Sequence, residues 1–470
     1  MSNRSLWWWA AFVVIVVTAL ALRLQKLNRI ALTNDEVAEV LWSKMPFGAM
    51  IDRVAVDMVH PPLDYIVQFA LDRVEAPEPV RRLPSVLFGT ATVALIILLG
   101  RIWYGPLAGL LSGCFLAVSP MHTRFSQEIR PYSMALFFMV GAVLCLELYA
   151  ARRRRLWAVL WFVSVLLAAY TFYFAGMTAG VVSLARIYVD RRASLDMLWE
   201  RLTLLIAGWA VLYAPWVPVA IHGLRTSRGF RPDTLDWPWW RYRLHVFAAG
   251  QLSENAITIG SWAFWCSVAV GMALSIRVRT LRFAVLWLVG CGAIEIIALH
   301  YRPHYSAARH LMPAWIGAFI LAGAGVAFLS RRVSTAAIGA AIMVLFAAYS
   351  GTVLAEYYSA GRPDWREVAV FVHERMRPGD TLIAANEWTA RDLGYYWERL
   401  PPVPHTRSQR FRTSTTPRIG PIWIIAAQCV PSEGLRRETL VRRFPQTDNA
   451  EVRFVRAGET LDVSEEICPD

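Results

Sequence analysis

Along residues 1–355, long apolar runs alternate with short polar segments. The polar segments themselves alternate between arginine-rich loops and loops rich in acids, histidines and aromatic residues. A helix crosses the ~30 Å hydrocarbon layer with ~20 predominantly apolar residues, and somewhat fewer where side chains snorkel. Eleven runs qualify, at about 6–24, 83–100, 107–125, 131–150, 156–170, 172–188, 203–220, 257–275, 283–299, 311–329 and 335–355. Leu6–Leu22 reads as a retained first span, because no small-x-small cleavage site follows it. Pro62–Ala70 is apolar, but it carries Asp64 inside and Asp72, Arg73 and Glu75 just after, which predicts an interfacial helix.

That reading fixes the parity of everything downstream. With the N-terminus cytoplasmic, the inside loops receive Arg101, Arg152–Arg155, the group Arg186, Arg191, Arg192 and Arg201, then Arg277, Arg279 and Arg282, and finally Arg331 and Arg332. Each of these short loops is basic, as the positive-inside rule requires. A twelfth span over 62–75 would carry Arg152–Arg155 outside. Arg23, Lys26 and Arg29 pull the other way, since they follow the first span. The outer face then receives 25–82, the turn around 121–131, the loop 221–256, the turn 300–310 and everything after about 356.

Composition agrees with a chain built for lipid. Hydrophobic residues make up 56% and charged residues 18%, against roughly 45–50% and ~25% in soluble domains. Of the net +13, residues 1–355 contribute 32 Lys and Arg against 18 Asp and Glu, while 356–470 hold 16 against 17. The basic excess therefore belongs to the loops between spans, and no nucleic-acid partner is expected. Cys114, Cys145, Cys266 and Cys291 fall in spans without the spacing of a metal or redox pair. Cys429 and Cys468 lie in the polar tail, where a disulfide is permitted if the tail is periplasmic.

After Tyr358 the pattern turns soluble. Thr381–Ala385 and Pro421–Ala427 read as buried strands, and Trp365–Met376, Thr389–Glu398 and Glu433–Phe444 as helices. The expectation is a membrane domain over 1–355, with 25–82 as its first external loop, and a small α/β domain over 356–470. The latter is a cover, an acceptor platform or a purely structural element.

The outer segments hold the chemistry. Thr33-Asn34-Asp35-Glu36 sets two carboxylates just beyond a membrane helix; either they act as base or cation ligand, or Thr33 or Asn34 caps a helix whose first turn favours acids. His60-Pro61-Pro62-Leu63-Asp64-Tyr65 either starts a helix or turns His60 or Asp64 toward a polar substrate. Arg124-Phe125-Ser126-Gln127-Glu128-Ile129-Arg130-Pro131-Tyr132 packs charge at membrane depth, where it is costly and usually functional. Its arginines suit a phosphate, unless Glu128 simply neutralises Arg124 or Arg130. His300–Pro313 is dense in cations and phenols, and reads as an anion site or a lipid-headgroup contact. Trp237-Pro238-Trp239-Trp240 reads as an interfacial belt or as a stacking surface for sugar or polyprenyl chain.

Taken in order, several pieces resemble the bacterial polyprenyl-phosphate-sugar glycosyltransferases related to protein O-mannosyltransferases and the aminoarabinose lipid A transferase. They are Asp35-Glu36, His60-Pro61-Pro62-Leu63, Arg82-Leu83-Pro84-Ser85-Val86-Leu87-Phe88-Gly89, Ser126–Tyr132, Arg309-His310-Leu311-Met312-Pro313 and Pro363-Asp364-Trp365-Arg366. The resemblance implies a GT-C fold, mainly α and polytopic, in a bacterial inner membrane with a periplasmic active site. It implies inverting transfer from a polyprenyl-phosphate sugar, with undecaprenyl phosphate as carrier, to a lipid, glycan or protein acceptor. By the same resemblance Asp35 is the base or orienting acid with Glu36 beside it, and Glu128 is a second acid. Arg130 and Arg309 contact the donor phosphate, and His60, Asp64, Tyr65, Gln127, Tyr132 and His310 complete the candidate substrate contacts. A divalent cation (Mg, Mn or Zn) on Asp35 and Glu128 stays open, since some relatives use one and others do not. His310 stands where many relatives have tyrosine, and His60 where the lipid A transferases have lysine, so the sugar and acceptor do not carry over. A transporter or flippase is the competing class. Against it, the spans lack mid-helix charges apart from Glu147 and Glu295 near their ends, and no repeated halves are visible.

Overall fold

The structure, a computed structural model, describes residues 3–29, 31–189, 196–226, 241, 244–245, 247–248, 259–277, 282–294, 297, 308–360, 364–377, 380–384, 387–400, 418–419, 422–426, 439–444, 450–455 and 460–461. The chain divides into two compact units, one of 1–27 and 43–356 and the other of 28–42 and 357–470.

The first unit is helical. Among the described residues six helices are long and apolar enough to cross a membrane: Ser5–Leu24, Glu78–Tyr104, Tyr132–Arg152, Leu202–His222, Ile259–Arg277 and Val333–Ser359. Arg309–Trp315 and Gly317–Leu329, bent by 48°, make up to a seventh, and Pro106–Ala117 and Arg155–Thr171 are shorter apolar helices. The run expected at 107–125 is interrupted: its helix ends at Ala117, and a new one starts at Pro120 behind Ser119. Proline cannot donate to the preceding turn, so the break falls there.

Contacts between helix ends show which loops share a side. Trp8 at the start of the first helix donates to the Pro106 carbonyl (3.0 Å), and the Arg101 guanidinium lies 4.0 Å from its ring centroid. Tyr104 and Ser275 share a hydrogen bond of 2.6 Å at the same end. At the opposite end Arg23 reaches the Ala117 carbonyl (3.2 Å) and Ser85 reaches the Arg130 carbonyl (3.5 Å). The Arg101 and Arg277 loops therefore lie together, across the bundle from the 119–131 turn.

Helix Leu63–Arg73 has 11 residues, about 16 Å of rise and roughly half the hydrocarbon thickness. Arg81, buried, ties it down by donating to the carbonyls of Ala76 (3.0 Å) and Gln68 (3.4 Å), to the Ser43 hydroxyl (3.1 Å), and to Asp72. Glu147, the charge noted near a span end, takes a two-bonded grip from Arg186 (2.7 and 3.1 Å), so that charge is neutralised between two helices. Glu295 lies outside the described residues. Arg153 donates to Asp196 (2.9 Å) and holds that carboxyl under its ordinary range.

Lipid offers no hydrophobic drive between helices, so close backbone approach through small residues does that work. Helix Gly317–Leu329 packs on Ile259–Arg277 and on Pro106–Ala117 in this way. A Cβ on Gly271 would run into the Leu321 carbonyl. Ser112 donates to Ala108 (2.7 Å) and across to Ile320 (3.4 Å) at the second contact.

In the second unit, β1 (Thr381–Ala384), β2 (Arg418–Ile419), β3 (Ile422–Ala426), β4 (Thr439–Phe444), β5 (Ala450–Val455) and β6 (Thr460–Leu461) form two sheets. One has the order β1-β3-β5-β4, parallel between β1 and β3 and antiparallel elsewhere; β2 and β6 pair separately. Helices Trp365–His373 and Glu387–Trp397 lie close to their expected positions. Asp364 caps the first of them by accepting from the Arg366 amide (2.9 Å). The expected helix over 433–444 is corrected over its described part: Thr439–Phe444 is a strand. Its charge-rich stretch suits a helix locally, but pairing with β5 supplies a ladder that overrides the local preference.

Replacing Gly271 with alanine forces the helix pair apart. We expect a stability loss of about 1–3 kcal/mol, read as a lower thermal midpoint in detergent; an unchanged midpoint would show that this contact is loose.

Candidate active site

The turn at 119–132 is built by satisfying polar groups that lipid would not. Arg23 is fully buried, and its guanidinium donates to the carbonyls of Ala19 (2.8 Å), Ala117 (3.2 Å) and Leu116 (3.5 Å) and to His122 Nδ1 (2.7 Å). Arginine has no acceptor, so Nδ1 accepts and the ring proton sits on Nε2. The carbonyls at the end of helix Pro106–Ala117, which have no partner within the helix, are met by this cation. Gln127 Nε2 donates to the carbonyls of Arg23 and Gln25, both at 2.9 Å, and buried Arg82 donates to Leu27 (3.1 Å). The Ser126 hydroxyl bonds the His122 carbonyl (2.6 Å), and Ser133 bonds Phe125 (3.1 Å). Gly89 lets this turn close, since a Cβ there would overlap Ser126.

The turn delivers Tyr132 to a buried cluster gathered from four segments. Pro131 starts helix Tyr132–Arg152, which places Tyr132 at its first position. His60 comes from the link between helices Phe47–Asp57 and Leu63–Arg73, where Met58 adopts a left-handed conformation (φ 58°). Phe172 is the single extended residue between helices Arg155–Thr171 and Tyr173–Val189. Arg309 and His310 come from the short helix Ala308–Leu311. Ring centroids lie 5.5 Å apart for His60–Tyr132, 5.3 Å for His60–Phe172, 6.4 Å for His60–His310 and 5.9 Å for Phe172–His310. The three His60 pairs are edge-on and Phe172–His310 is tilted, and edge-on packing at these separations is a favoured aromatic geometry. Arg309 Nε donates to the Tyr132 hydroxyl (2.9 Å), and Arg130 lies 6.0 Å from the Tyr132 ring centroid.

Other expected residues take different places. Glu128 is buried and accepts from Arg124 Nε (3.1 Å), the neutralising arrangement that stood as the alternative to a free acid. Gln127 supports backbone. Asp64 and Tyr65 are buried in the first turn of helix Leu63–Arg73. His300–Ser306, Trp237–Trp240, Cys429 and Cys468 lie outside the described residues. Among the described residues no group of three or more His, Cys, Asp or Glu is placed to hold a metal ion, and Glu128, one of the two expected ligands, accepts from Arg124.

Asp35 and Glu36 belong to the second unit, in the first turn of helix Asn34–Ser43. The Thr33 amide donates to Glu36 Oε2 (2.9 Å) and the Glu36 amide to Thr33 Oγ1 (3.4 Å). This reciprocal pair is a capping box, so buried Glu36 is committed to the helix start while Asp35 is half-buried beside it. Within this unit Arg391 donates to the Asn34 carbonyl (3.0 Å) and side-chain oxygen, and the Leu32 amide donates to the Tyr396 hydroxyl (2.8 Å). Arg391 and Tyr396 escape sequence reasoning because some 360 residues separate them from their partners. Phe172 escapes because an aromatic in an apolar run carries no signal, although the break between the two runs was visible. Arg23 was visible only as a charge on the wrong side.

No protein-family model matches the sequence, and no curated protein matches it. Solved structures do. The crystal structure of ArnT from Cupriavidus metallidurans bound to undecaprenyl phosphate is 13% identical, with a TM-score of 0.58 over 94% of this chain and 97% of that one. The same protein in the apo state gives 14%, 0.59, 96% and 98%. The apo oligosaccharyltransferase of Archaeoglobus fulgidus gives 12% and 0.54, covering 86% of this chain but 65% of the larger protein. With a helical membrane unit, a buried aromatic–histidine cluster and this likeness along nearly its whole length, the chain is a multi-pass membrane protein with the GT-C fold.

Proposed function

We propose that this chain is an inverting membrane glycosyltransferase that takes a sugar from a polyprenyl-phosphate donor and passes it to a lipid, glycan or protein acceptor on the periplasmic face of a bacterial inner membrane. The observation that carries the reading is Arg309, held by the Tyr132 hydroxyl against the His60–Phe172–His310 cluster. Arginine's planar fork matches phosphate oxygens, and a cation fixed before the reaction stabilises charge as it develops on the leaving phosphate. Undecaprenyl phosphate as carrier is supported by its presence in the similar ArnT structure. The arginine loops gathered at one end of the bundle support a cytoplasmic N-terminus and a periplasmic site, with residues 356–470 as a periplasmic α/β domain.

In this scheme Asp35 takes the proton of the acceptor hydroxyl. The acceptor oxygen bonds to the anomeric carbon from the face opposite the phosphate, and the bond from that carbon to the phosphate oxygen breaks with its electron pair leaving on the phosphate. Arg309 and Arg130 meet that charge, His60 and His310 wall the site, and Glu128 with Arg124 keeps the turn neutral. Glu36 sets the helix start.

Asp35→Asn should lower kcat by about 10²–10⁴-fold in folded protein, and Arg309→Ala should raise the donor KM and lower kcat/KM. Purified protein, polyprenyl-phosphate-linked sugar and a cell-envelope extract as acceptor source make the assay, with release of polyprenyl phosphate as its readout. Normal turnover in both variants would remove the proposal. Glu36→Gln keeps the capping box and should retain activity, whereas Glu36→Ala should cost about 1 kcal/mol of stability; a dead but stable Glu36→Gln would make Glu36 a catalytic acid. Turnover should survive exhaustive chelation, and loss restored by Mg, Mn or Zn alone would return a metal to the mechanism.

A further inference from the structure

We propose that Arg391 and Tyr396, on helix Glu387–Trp397 of the C-terminal region, are positioning residues for Asp35, so that this region is a working part of the transfer reaction. The inference rests on the reading of Asp35 as the base.

Asp35 is the second residue of helix Asn34–Ser43, and the backbone leading into it is held from two sides. The Leu32 amide is spent on the buried Tyr396 hydroxyl (2.8 Å). The Asn34 carbonyl belongs to the peptide bond that joins Asn34 to Asp35, and it accepts from Arg391 (3.0 Å), which also meets the Asn34 side-chain oxygen. Between these two grips the Thr33–Glu36 box closes the helix start. The orientation of the Asp35 peptide is thereby set by side chains from residues 391 and 396.

Those side chains are themselves braced. Arg391 Nε donates to Asp392 (3.3 Å), which is buried, and Arg366 lies 5.3 Å from the Tyr396 ring centroid. A group held this way loses little freedom when it holds another. Placing a base within a fraction of an ångström of its working geometry is worth large factors in rate, and a helix start fixed by buried hydrogen bonds supplies that accuracy.

The test uses the full-length protein in lipid nanodiscs, with undecaprenyl-phosphate-linked sugar as donor and cell-envelope extract as acceptor source. Arg391→Ala should lower kcat by about 10- to 100-fold while donor KM stays within about two-fold, because the lost interaction bears on the base and not on the donor. Tyr396→Phe removes one hydroxyl, leaves packing intact and should cost about 5-fold in kcat. In an Asp35→Asn background neither change should lower the residual rate further, since residues acting through one group are not additive. Should Arg391→Ala fail to fold, the Tyr396→Phe cycle carries the decision alone. Losses that multiply with that of Asp35→Asn, a change confined to donor KM, or wild-type kcat in folded Arg391→Ala and Tyr396→Phe would each overturn this inference alone. Wild-type turnover in Asp35→Asn would instead overturn the base assignment beneath it, and this inference with it.

Discussion

Lipid cannot solvate a charge, and a single buried arginine shows how the membrane unit answers that constraint. An unsatisfied polar group in hydrocarbon costs several kcal/mol, yet Arg23 is fully buried. Its guanidinium is met by two helix ends and by His122, and its own carbonyl accepts from Gln127. The first span, the end of helix Pro106–Ala117 and the 119–132 turn are thereby locked as one object. That turn sets Tyr132, and Tyr132 sets Arg309. The group proposed to receive phosphate is thus connected to the joint between helix Asn3–Leu24 and helix Pro106–Ala117.

The same constraint separates two kinds of charge that look alike in a sequence. Glu147 with Arg186 and Glu128 with Arg124 are pairs whose job is neutralisation. Arg309 is placed against a phenol and an aromatic–histidine wall. Taking one partner out of a buried pair is strongly destabilising, so variants at Glu147 or Glu128 report on folding before they report on chemistry.

Much of this was legible in the chain. Apolar runs of spanning length, the basic loops between them and the short, charge-flanked Leu63–Arg73 helix all express local preferences, and local preferences can be read locally. Thr33–Glu36 offered two meanings, and the reciprocal hydrogen bonds select the cap for Glu36 while leaving Asp35 its candidacy. What was illegible depends on distant partners. Arg23 reads as a misplaced surface charge until the carbonyls of Leu116 and Ala117 are seen around it. β4 reads as helix until β5 lies beside it. Arg391 and Tyr396 sit in a region without any catalytic motif, and their meaning comes entirely from residues 32–34.

In the proposed function, the site around Arg309 breaks the bond between sugar and lipid phosphate. Sealed proteoliposomes loaded with radiolabelled undecaprenyl-phosphate sugar and supplied with envelope acceptor test it most directly. Label should pass to the acceptor while undecaprenyl phosphate accumulates, and Arg309→Ala should suppress both together. Label that crosses the bilayer still joined to its lipid phosphate, at a rate indifferent to Arg309, would contradict it and mark the protein as a transporter.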